Sequence, residues 1–560
     1  MITRRARRVL ALAAVSALAS ATALSSALTF SSASAAPDPD PAASAKQVRV
    51  GADRQAADDA LAVVRKIFTP ATRAQARATV AAGGVEATMA LRDLAVRYDS
   101  LSEADRAAAA GYLARPTDAS DGDSFTVEYG IPEAPPVCTP DLCVHYVAAG
   151  NANGDAPPLA DTKNAAGDAG ANGIPDYVDT VVRVMTEVHD TYVDAGYREP
   201  LPDGARGGDE RIDIYLAEIG NRGAYGYCTS DQADPTSGAM HYDRWAYCVL
   251  DDDYAGFPNS ALENIEVTAA HEYFHATQYA YDAYEDSWFL EATATWAEDE
   301  VYDDVNDNVQ YLRNSPLTSP GTPVDTFQNG GTFHYGTWSF FRFLTEKYRT
   351  KKGPMPALVL DLMKKVDGSI GAPDLYSWQA LESVLKATKT TAAQQFLAYA
   401  VANRRPQETY AEGKAQKYPS GPLRGSVTLT AKKSRLKVTK TRTDHLTAAT
   451  YRLAPKHLRK KKTKLRVVLD MAPRSKGSMA AITVVPQKGK TKVYGISLNK
   501  SGNGAKSVPF SSQKIRYVEV TMANTSARFD GCFEQYTPYS CYGIPRDDNQ
   551  VQKISAHVVR

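Results

Sequence analysis

The chain has 560 residues, of which 43% are hydrophobic, and its 64 Lys and Arg balance its 64 Asp and Glu. This length exceeds what one hydrophobic core supports, so we expect two or three domains. Zero net charge excludes a protein that is basic or acidic throughout, and no stretch beyond the amino terminus is apolar enough to span a bilayer. The charges are unevenly distributed along the chain, because residues 411–560 carry roughly 30 Lys and Arg against about 8 Asp and Glu.

The first 35 residues have the pattern of a secretory signal peptide. A charged start that includes Arg4 and Arg5 precedes an apolar stretch, and Ala33-Ser34-Ala35 resembles a cleavage site of small residues. We therefore predict a secreted, extracellular protein with signal peptide 1–35 and no transmembrane anchor after its removal. A retained membrane anchor is the alternative, and both Sec and twin-arginine export stay open.

Residues 36–125 are predicted to form a helical amino-terminal region. They are rich in Ala and in charged residues, with breaks at Pro70 and at Gly83-Gly84, and Ser102 can open a helix. Its place between signal peptide and catalytic unit suits a propeptide that covers an active site. A permanent helical subdomain is the alternative.

The six cysteines fall into three pairs of near neighbours. An even number in an exported chain predicts local disulfide bonds rather than a cysteine zinc site, since no C-x-x-C pattern is present. The predicted pairs are Cys138 with Cys143, Cys228 with Cys248, and Cys532 with Cys541.

Residues 168–179 resemble a calcium-binding loop. The oxygen-bearing residues at its positions 1, 5, 9 and 12 are Asp168, Asn172, Asp176 and Asp179. Gly170 stands where a further ligand is usual. Calcium binding is one interpretation, and a turn that caps the helix after Pro175 is the other.

Strands and helices then lead to the central motif. Residues 177–193 have helical periodicity, and residues 143–147, 211–216 and 247–250 are predicted strands. His271-Glu272-Tyr273-Phe274-His275 has the form H-E-x-x-H, which sets two imidazoles on one side of a helix. Two such imidazoles can bind one metal ion, usually zinc, while the glutamate between them can accept a proton from water.

A third ligand is expected on the next helix. A third His in the metzincin pattern is absent, because Gln278 and Tyr281 stand at the required places. Glu291 follows a polar turn on a second apolar helix, and two helices joined by a short turn run antiparallel. Glu291 would then lie level with His275.

The two motifs, His271-Glu272-x-x-His275 and Trp288-x-x-Glu291-Ala-x-Ala294, resemble those of gluzincin zinc metallopeptidases that bacteria secrete. The resemblance implies that His271, His275 and Glu291 bind zinc and that Glu272 is the catalytic base. Thermolysin-like members place an Asp four residues after the ligand Glu to orient a ligating His. Here that place holds Thr295, so Thr295, Glu298, Asp299 or a residue from elsewhere must give this support.

A Tyr or His beyond the second ligand helix often stabilises the oxyanion in zincins of this type. Tyr335 and His334 are the candidates for this catalytic role. An aromatic residue of the core is the alternative interpretation for each.

After Pro406, short alternating runs separated by turns predict a β-sandwich-like domain. Residues 456–466 are very basic but lack the aromatic interleaving that would indicate nucleic acid. An anionic cell-wall or surface polymer, an acidic substrate, or the acidic catalytic part itself are the alternative partners.

We therefore predict an α+β protein with a zincin-like domain at 126–410, which has an active-site helix and edge strands. The helical region 36–125 precedes it and the basic β-rich domain 411–560 follows. The predicted function is a secreted zinc-dependent endopeptidase that hydrolyses peptide bonds with metal-activated water. A non-catalytic surface-binding protein with a structural zinc is the alternative, and an aminopeptidase is a variant of the first.

Overall fold

The computed structural model describes residues 54–118, 126–232, 240–534 and 536–559. These residues all belong to one unit of the chain, Ala45–Arg560. They combine helices with several sheets, which confirms the α+β class. The predicted signal peptide lies outside the described residues, and the domain boundaries stay predictions.

Four helices form the amino-terminal region. Thr72 and Gln75 make a capping box at the second, and the Ser102 hydroxyl caps the fourth, as its sequence indicates. These helices are α1 (Arg54–Phe68), α2 (Arg73–Ala81), α3 (Thr88–Val96) and α4 (Glu103–Leu113).

A five-stranded sheet follows. Its strands are β1 (Val137–Cys138), β2 (Leu142–His145), β3 (Ile212–Ala217), β4 (Gly226–Thr229) and β5 (Tyr247–Asp251). The order is β1-β2-β3-β5-β4, with β2, β3 and β5 parallel and β4 antiparallel to β5. The strands from β2 to β5 are buried along their whole length, and β4 forms one edge of the sheet.

Of three long helices, the first two pack against this sheet and the third packs on the second. They are α5 (Asp176–Asp194), α6 (Ala261–Asp282) and α7 (Ser287–Val301). A capping box between Ser260 and Glu263 begins α6, and both sides of the helix are buried. At Gly226 the helix comes so close to β4 that a Cβ atom would lie 2.9 Å from Cγ of Glu272.

A set of shorter elements completes the central part. A 3₁₀ helix, Asp307–Asn314, lies beside α7. The elements after it are α8 (Phe333–Gly336), α9 (Trp338–Lys347), β6 (Lys351–Lys352), β7 (Met355–Pro356), α10 (Ala357–Val366), α11 (Ser377–Ala387), α12 (Ala392–Ala402) and α13 (Pro406–Thr409). Among the helices of the described residues, none combines the length and apolar character that crossing a bilayer requires.

The carboxy-terminal part is almost entirely β. Its strands are β8 (Gly425–Leu429), β9 (Arg435–Thr443), β10 (Thr447–Pro455), β11 (Lys464–Asp470), β12 (Ser478–Pro486), β13 (Lys492–Gly495), β14 (Asn503–Pro509), β15 (Ile515–Asn524), β16 (Phe529–Asp530), β17 (Ile544–Pro545) and β18 (Gln550–Val559). Two sheets, β13-β12-β15-β10-β8 and β14-β11-β18-β9, share one hydrophobic core. This is the arrangement of a β-sandwich.

All three predicted disulfide bonds are present. They join Cys138 to Cys143, Cys228 to Cys248 and Cys532 to Cys541, and no described cysteine is free. The second bond links neighbouring residues of β4 and β5, the edge pair of the central sheet. It therefore fixes the edge strand beside α6.

Candidate metal centre

Helices α6 and α7 bring three potential ligands to one point. Nε2 of His271 and Nε2 of His275 are 3.0 Å apart. The carboxylate of Glu291 lies across from both, with Oε2 3.3 Å from His271 Nε2 and Oε1 3.4 Å from His275 Nε2. All three could therefore hold one metal ion.

The spacing of these atoms can be compared with that of a metal site. Four ligands at about 2.0–2.1 Å from a tetrahedral ion lie about 3.3 Å from one another. The three observed spacings are close to this value. The His271, His275 and Glu291 set therefore fits a tetrahedral ion that has one further position for water or substrate.

The hydrogen bonds of the two imidazole rings determine which ring nitrogen carries the proton. Gln278 donates through Nε2 to the Leu290 carbonyl and to Thr293 Oγ1, each at 2.9 Å, so its Oε1 is left to accept from Nδ1 of His275 at 2.7 Å. Nδ1 of His271 likewise donates to Glu298 Oε1 at 2.6 Å. Because each neutral ring then carries its proton on Nδ1, each Nε2 presents a lone pair to the centre.

The carboxylate of Glu291 has the burial and the negative charge expected of a cation ligand. The residue is buried, and among the described residues neither oxygen accepts a hydrogen bond of good geometry. Burial alone would raise the pKa of Glu291, but His275 and His271 hold it well below its usual range. A buried ionised carboxylate between two imidazoles is a strong site for positive charge.

The pKa of His271 also shows that the site favours positive charge. Burial alone would lower the pKa of its imidazole, yet the carboxylates of Glu291 and Glu298 raise it well above the ordinary value. Burial raises the pKa of Glu298 to about 7 despite its contact with His271. The support for the first ligand is thus an ionisable carboxyl group, whereas the amide of Gln278 that supports His275 does not titrate.

The residue between the ligands, Glu272, lies beside this centre. Burial is the largest cause of its raised pKa, which His271 and His275 offset in part. Its Oε2 accepts a hydrogen bond of 3.1 Å from Thr88 Oγ1. A carboxylate with a raised pKa next to a metal centre has the chemistry of a general base.

A small cavity of about 50 Å³ opens next to these side chains. It has room for a few water molecules but not for a peptide. The residues that line it are Gly83, Val85, Glu86, Ala87, Thr88, Tyr225, Gly226, Val267, Thr268, His271, Glu272, Glu291, Glu298, Asp307, Tyr311 and Tyr335.

The two predicted oxyanion residues differ in whether they line the cavity. Tyr335 lines the cavity, with its ring centroid 5.9 Å from that of His271. His334 is not among the lining residues, and its ring packs 4.6 Å from Phe327. Its two ring nitrogens have no hydrogen-bond partner among the described residues, and burial lowers its pKa to about 4. His334 therefore lies outside the lining of this cavity, and its catalytic role stays a prediction.

The predicted calcium ligands have protein partners. Asp176 accepts hydrogen bonds from Thr162 and Lys163, and Asp179 accepts one from Asn172, while Asp168 is exposed. Within the described ranges, none of the three carboxylates belongs to a cluster of at least three His, Cys, Asp or Glu residues that could share an ion. Calcium binding by this loop stays a prediction.

Comparison with known proteins identifies no family for this chain. No protein-family model matches the chain, and no curated protein matches it. One similar solved structure is that of a family GH115 4-O-methyl-alpha-glucuronidase with specificity for decorated arabinogalactans. It is 7% identical with a TM-score of 0.12, and the match covers 66% of this chain and 54% of that one. This chain thus spans about half the length of that structure, and so low a score supports neither a shared fold nor a shared function.

Proposed function

We propose that this chain is a secreted zinc-dependent endopeptidase of the gluzincin type. The observation that carries the proposal is the meeting of His271, His275 and Glu291 at spacings of 3.0–3.4 Å, with Glu272 beside them. A purely structural zinc needs no adjacent base, so the buried Glu272 favours a catalytic site. The three disulfide bonds suit an extracellular protein.

Zinc in this site would polarise the peptide carbonyl and lower the pKa of water. Glu272 takes the proton of the attacking water and passes it to the leaving amine. Its raised pKa suits both steps, because the group must first accept and then donate a proton near neutral pH. Tyr335, which lines the cavity, is the candidate that would donate a hydrogen bond to the developing oxyanion.

The test is the Glu272→Gln variant of the mature protein recovered from culture medium. We expect it to keep its zinc and to lose casein hydrolysis by about 10²–10⁴-fold, which is the usual contribution of a general base. Glu266→Gln is the matched control, because Glu266 lies on the same helix and does not line the cavity. Hydrolysis that persists in Glu272→Gln would contradict the assigned role. Zinc binding without any chelator-sensitive hydrolysis in the wild type would favour a non-catalytic protein.

A further inference from the structure

Residues 83–88, which run from the connection after α2 to the first residue of α3, lie beside the cavity of the metal centre. Five of these six residues line that cavity. Gly83 and Gly84 have φ values of 113° and 81°, which side chains rarely tolerate. A Cβ atom at Gly83 would lie 2.9 Å from the ring of Tyr311. The glycine pair therefore allows the segment to approach the site closely.

The same segment lies along the outer edge of β4. The Val85 amide donates to the Gly223 carbonyl at 3.0 Å, and the Cys228 amide of β4 donates to Thr88 Oγ1 at 3.1 Å. Gly223 lies in the turn before β4, whereas the Cys228 amide belongs to the edge strand itself and is a group that an added extended peptide would use. The segment thus lies where such a peptide would bind.

Two side chains of the segment reach the chemical groups of the site. Thr88 donates its hydroxyl proton to Glu272 at 3.1 Å, so it engages the proposed base directly. Glu86 is 5% exposed and uses Oε1 to accept from the Met89 amide at 2.5 Å. Its Oε2 has no hydrogen-bond partner in the described part of the chain, although it is buried at the wall of the cavity.

We propose that residues 83–88 hold the peptidase latent by taking the place of a substrate peptide. Thr88 engages the base, and Glu86 holds a carboxyl oxygen without a partner among the described residues at the wall of the same cavity. This inference rests on the proposed function and gives the amino-terminal helices the role of an inhibitory propeptide. Displacement of the segment frees the edge of β4, the Glu272 carboxylate and the open side of the metal centre together.

The test uses the zinc-loaded full chain with acetohydroxamate as a small probe of the metal centre. We expect Thr88→Val and Glu86→Ala each to bind the probe at least tenfold more tightly than the wild type, and to lose zinc to a chelator faster. Thr88→Ser, which keeps the hydroxyl, should behave like the wild type.

Equal probe affinity and equal zinc loss in a folded variant and the wild type would overturn the latency proposal while leaving the peptidase proposal intact. Absence of bound zinc in the wild type would instead overturn the peptidase proposal. Because the two substitutions are tested separately, failure of one variant to fold leaves the other to decide.

A cluster of three carboxylates lies apart from the metal centre, at the carboxyl ends of β3 and β5. Oxygens of Glu218, Asp251 and Asp252 are within 4.8 Å of one another. Two of the three carboxylates are held by backbone amides: Asp251 accepts from Ile219, Gly220 and Tyr254, and Glu218 accepts from Asn221.

Asp252 differs from its two neighbours. It is 2% exposed, its Oδ1 has no hydrogen-bond partner, and it forms no ion pair among the described residues. A buried carboxylate without a partner is costly unless a cation balances it.

We infer that this cluster binds a calcium ion, since three carboxylates without nitrogen or sulfur ligands suit a hard cation. The ion would brace the turn at residues 218–223, which includes the Gly223 carbonyl that binds Val85. This site is separate from the loop at 168–179.

The test is thermal unfolding of the full chain with and without calcium chloride. We expect calcium to raise the Tm of the wild type and of Asp168→Asn, but not that of Asp252→Asn. No calcium-dependent shift in the wild type, or an equal shift in Asp252→Asn, would overturn the inference.

Discussion

At the scale of single residues, the metal centre is arranged by the partners of its two imidazoles. Glu298 accepts from His271, and Gln278 accepts from His275, so both rings present Nε2 to the centre. Thr295, which stands where thermolysin-like members have an Asp, contacts neither ring by a hydrogen bond and has an unpartnered Oγ1 within the described residues. Among the candidates that the sequence offers for this support, Glu298 is the one that contacts His271.

We predict that Glu298→Gln weakens zinc binding about 10- to 100-fold, which is usual when a supporting carboxylate is lost. The measurement is competition with a chelator of known affinity. Thr295→Val is the control and should bind zinc as the wild type does. Equal affinity in Glu298→Gln and the wild type would show that Glu298 does not support the ligand.

The residues of the site differ in how far the sequence predicts them. His271, His275 and Glu291 follow from a four-residue spacing and a short turn, which are local. Sequence alone left Glu298 as one alternative among several for supporting a ligand. Thr88 was missed, because its contact with Glu272 spans 184 residues and depends on how α3 packs on the sheet.

At the scale of elements, the site depends on two helices that begin and end where the sequence indicates. The sequence predicts a polar turn between the two helices, and the observed turn lies between Asp282, where α6 ends, and Ser287, where α7 begins. Beyond its first turn, α6 is buried on nearly all sides. The helix is therefore held between the sheet and α7 rather than lying at a surface.

We predict that Ser260→Ala destabilises the protein by about 1 kcal/mol, because the Glu263 amide at the start of α6 loses its side-chain acceptor. Urea unfolding with a common slope measures the difference in the free energy of unfolding. Ser260→Asp keeps an acceptor and should recover most of the stability. No change in Ser260→Ala would mean that tertiary packing alone fixes this end of the helix.

The two candidate calcium sites differ in how far the sequence reveals them. The loop at 168–179 is recognised by its spacing, and Asp176 there accepts hydrogen bonds from the backbone amides of Thr162 and Lys163. The cluster at Glu218, Asp251 and Asp252 combines two strand ends that are distant in sequence. Such a cluster has no local spacing that could reveal it.

At the scale of the whole molecule, buried ion pairs join the carboxy-terminal sheets to the central part. Glu519 of β15 pairs with Arg404 and Arg405, which follow α12. His445 lies between Asp325 and Asp548 at 3.0 and 2.7 Å. Burial alone would lower the pKa of His445, but the two carboxylates raise it to about 9.

We predict that His445 makes stability depend on pH. Its folded pKa of about 9 exceeds the unfolded value of about 6.5, so its contribution is complete below pH 6.5 and is lost as pH rises through 9. The contribution is roughly 3 kcal/mol at full protonation. The gap in unfolding free energy between wild type and His445→Gln should therefore narrow from pH 6 to pH 9.5.

The control for this prediction is His557→Gln on β18, a half-buried histidine without an ion pair among the described residues. The free energy of unfolding of His557→Gln should follow that of the wild type at every pH. A pH-independent gap for His445→Gln would mean that the ring acts by packing rather than by charge.

The central claim is that three side chains from two antiparallel helices bind one divalent ion. The measurement that tests it most directly is the zinc content of the purified full chain after dialysis. We predict one zinc per chain in the wild type and in Glu272→Gln, and none in His275→Ala or Glu291→Ala. A wild type without zinc, or zinc retained in full by both ligand variants, would contradict it.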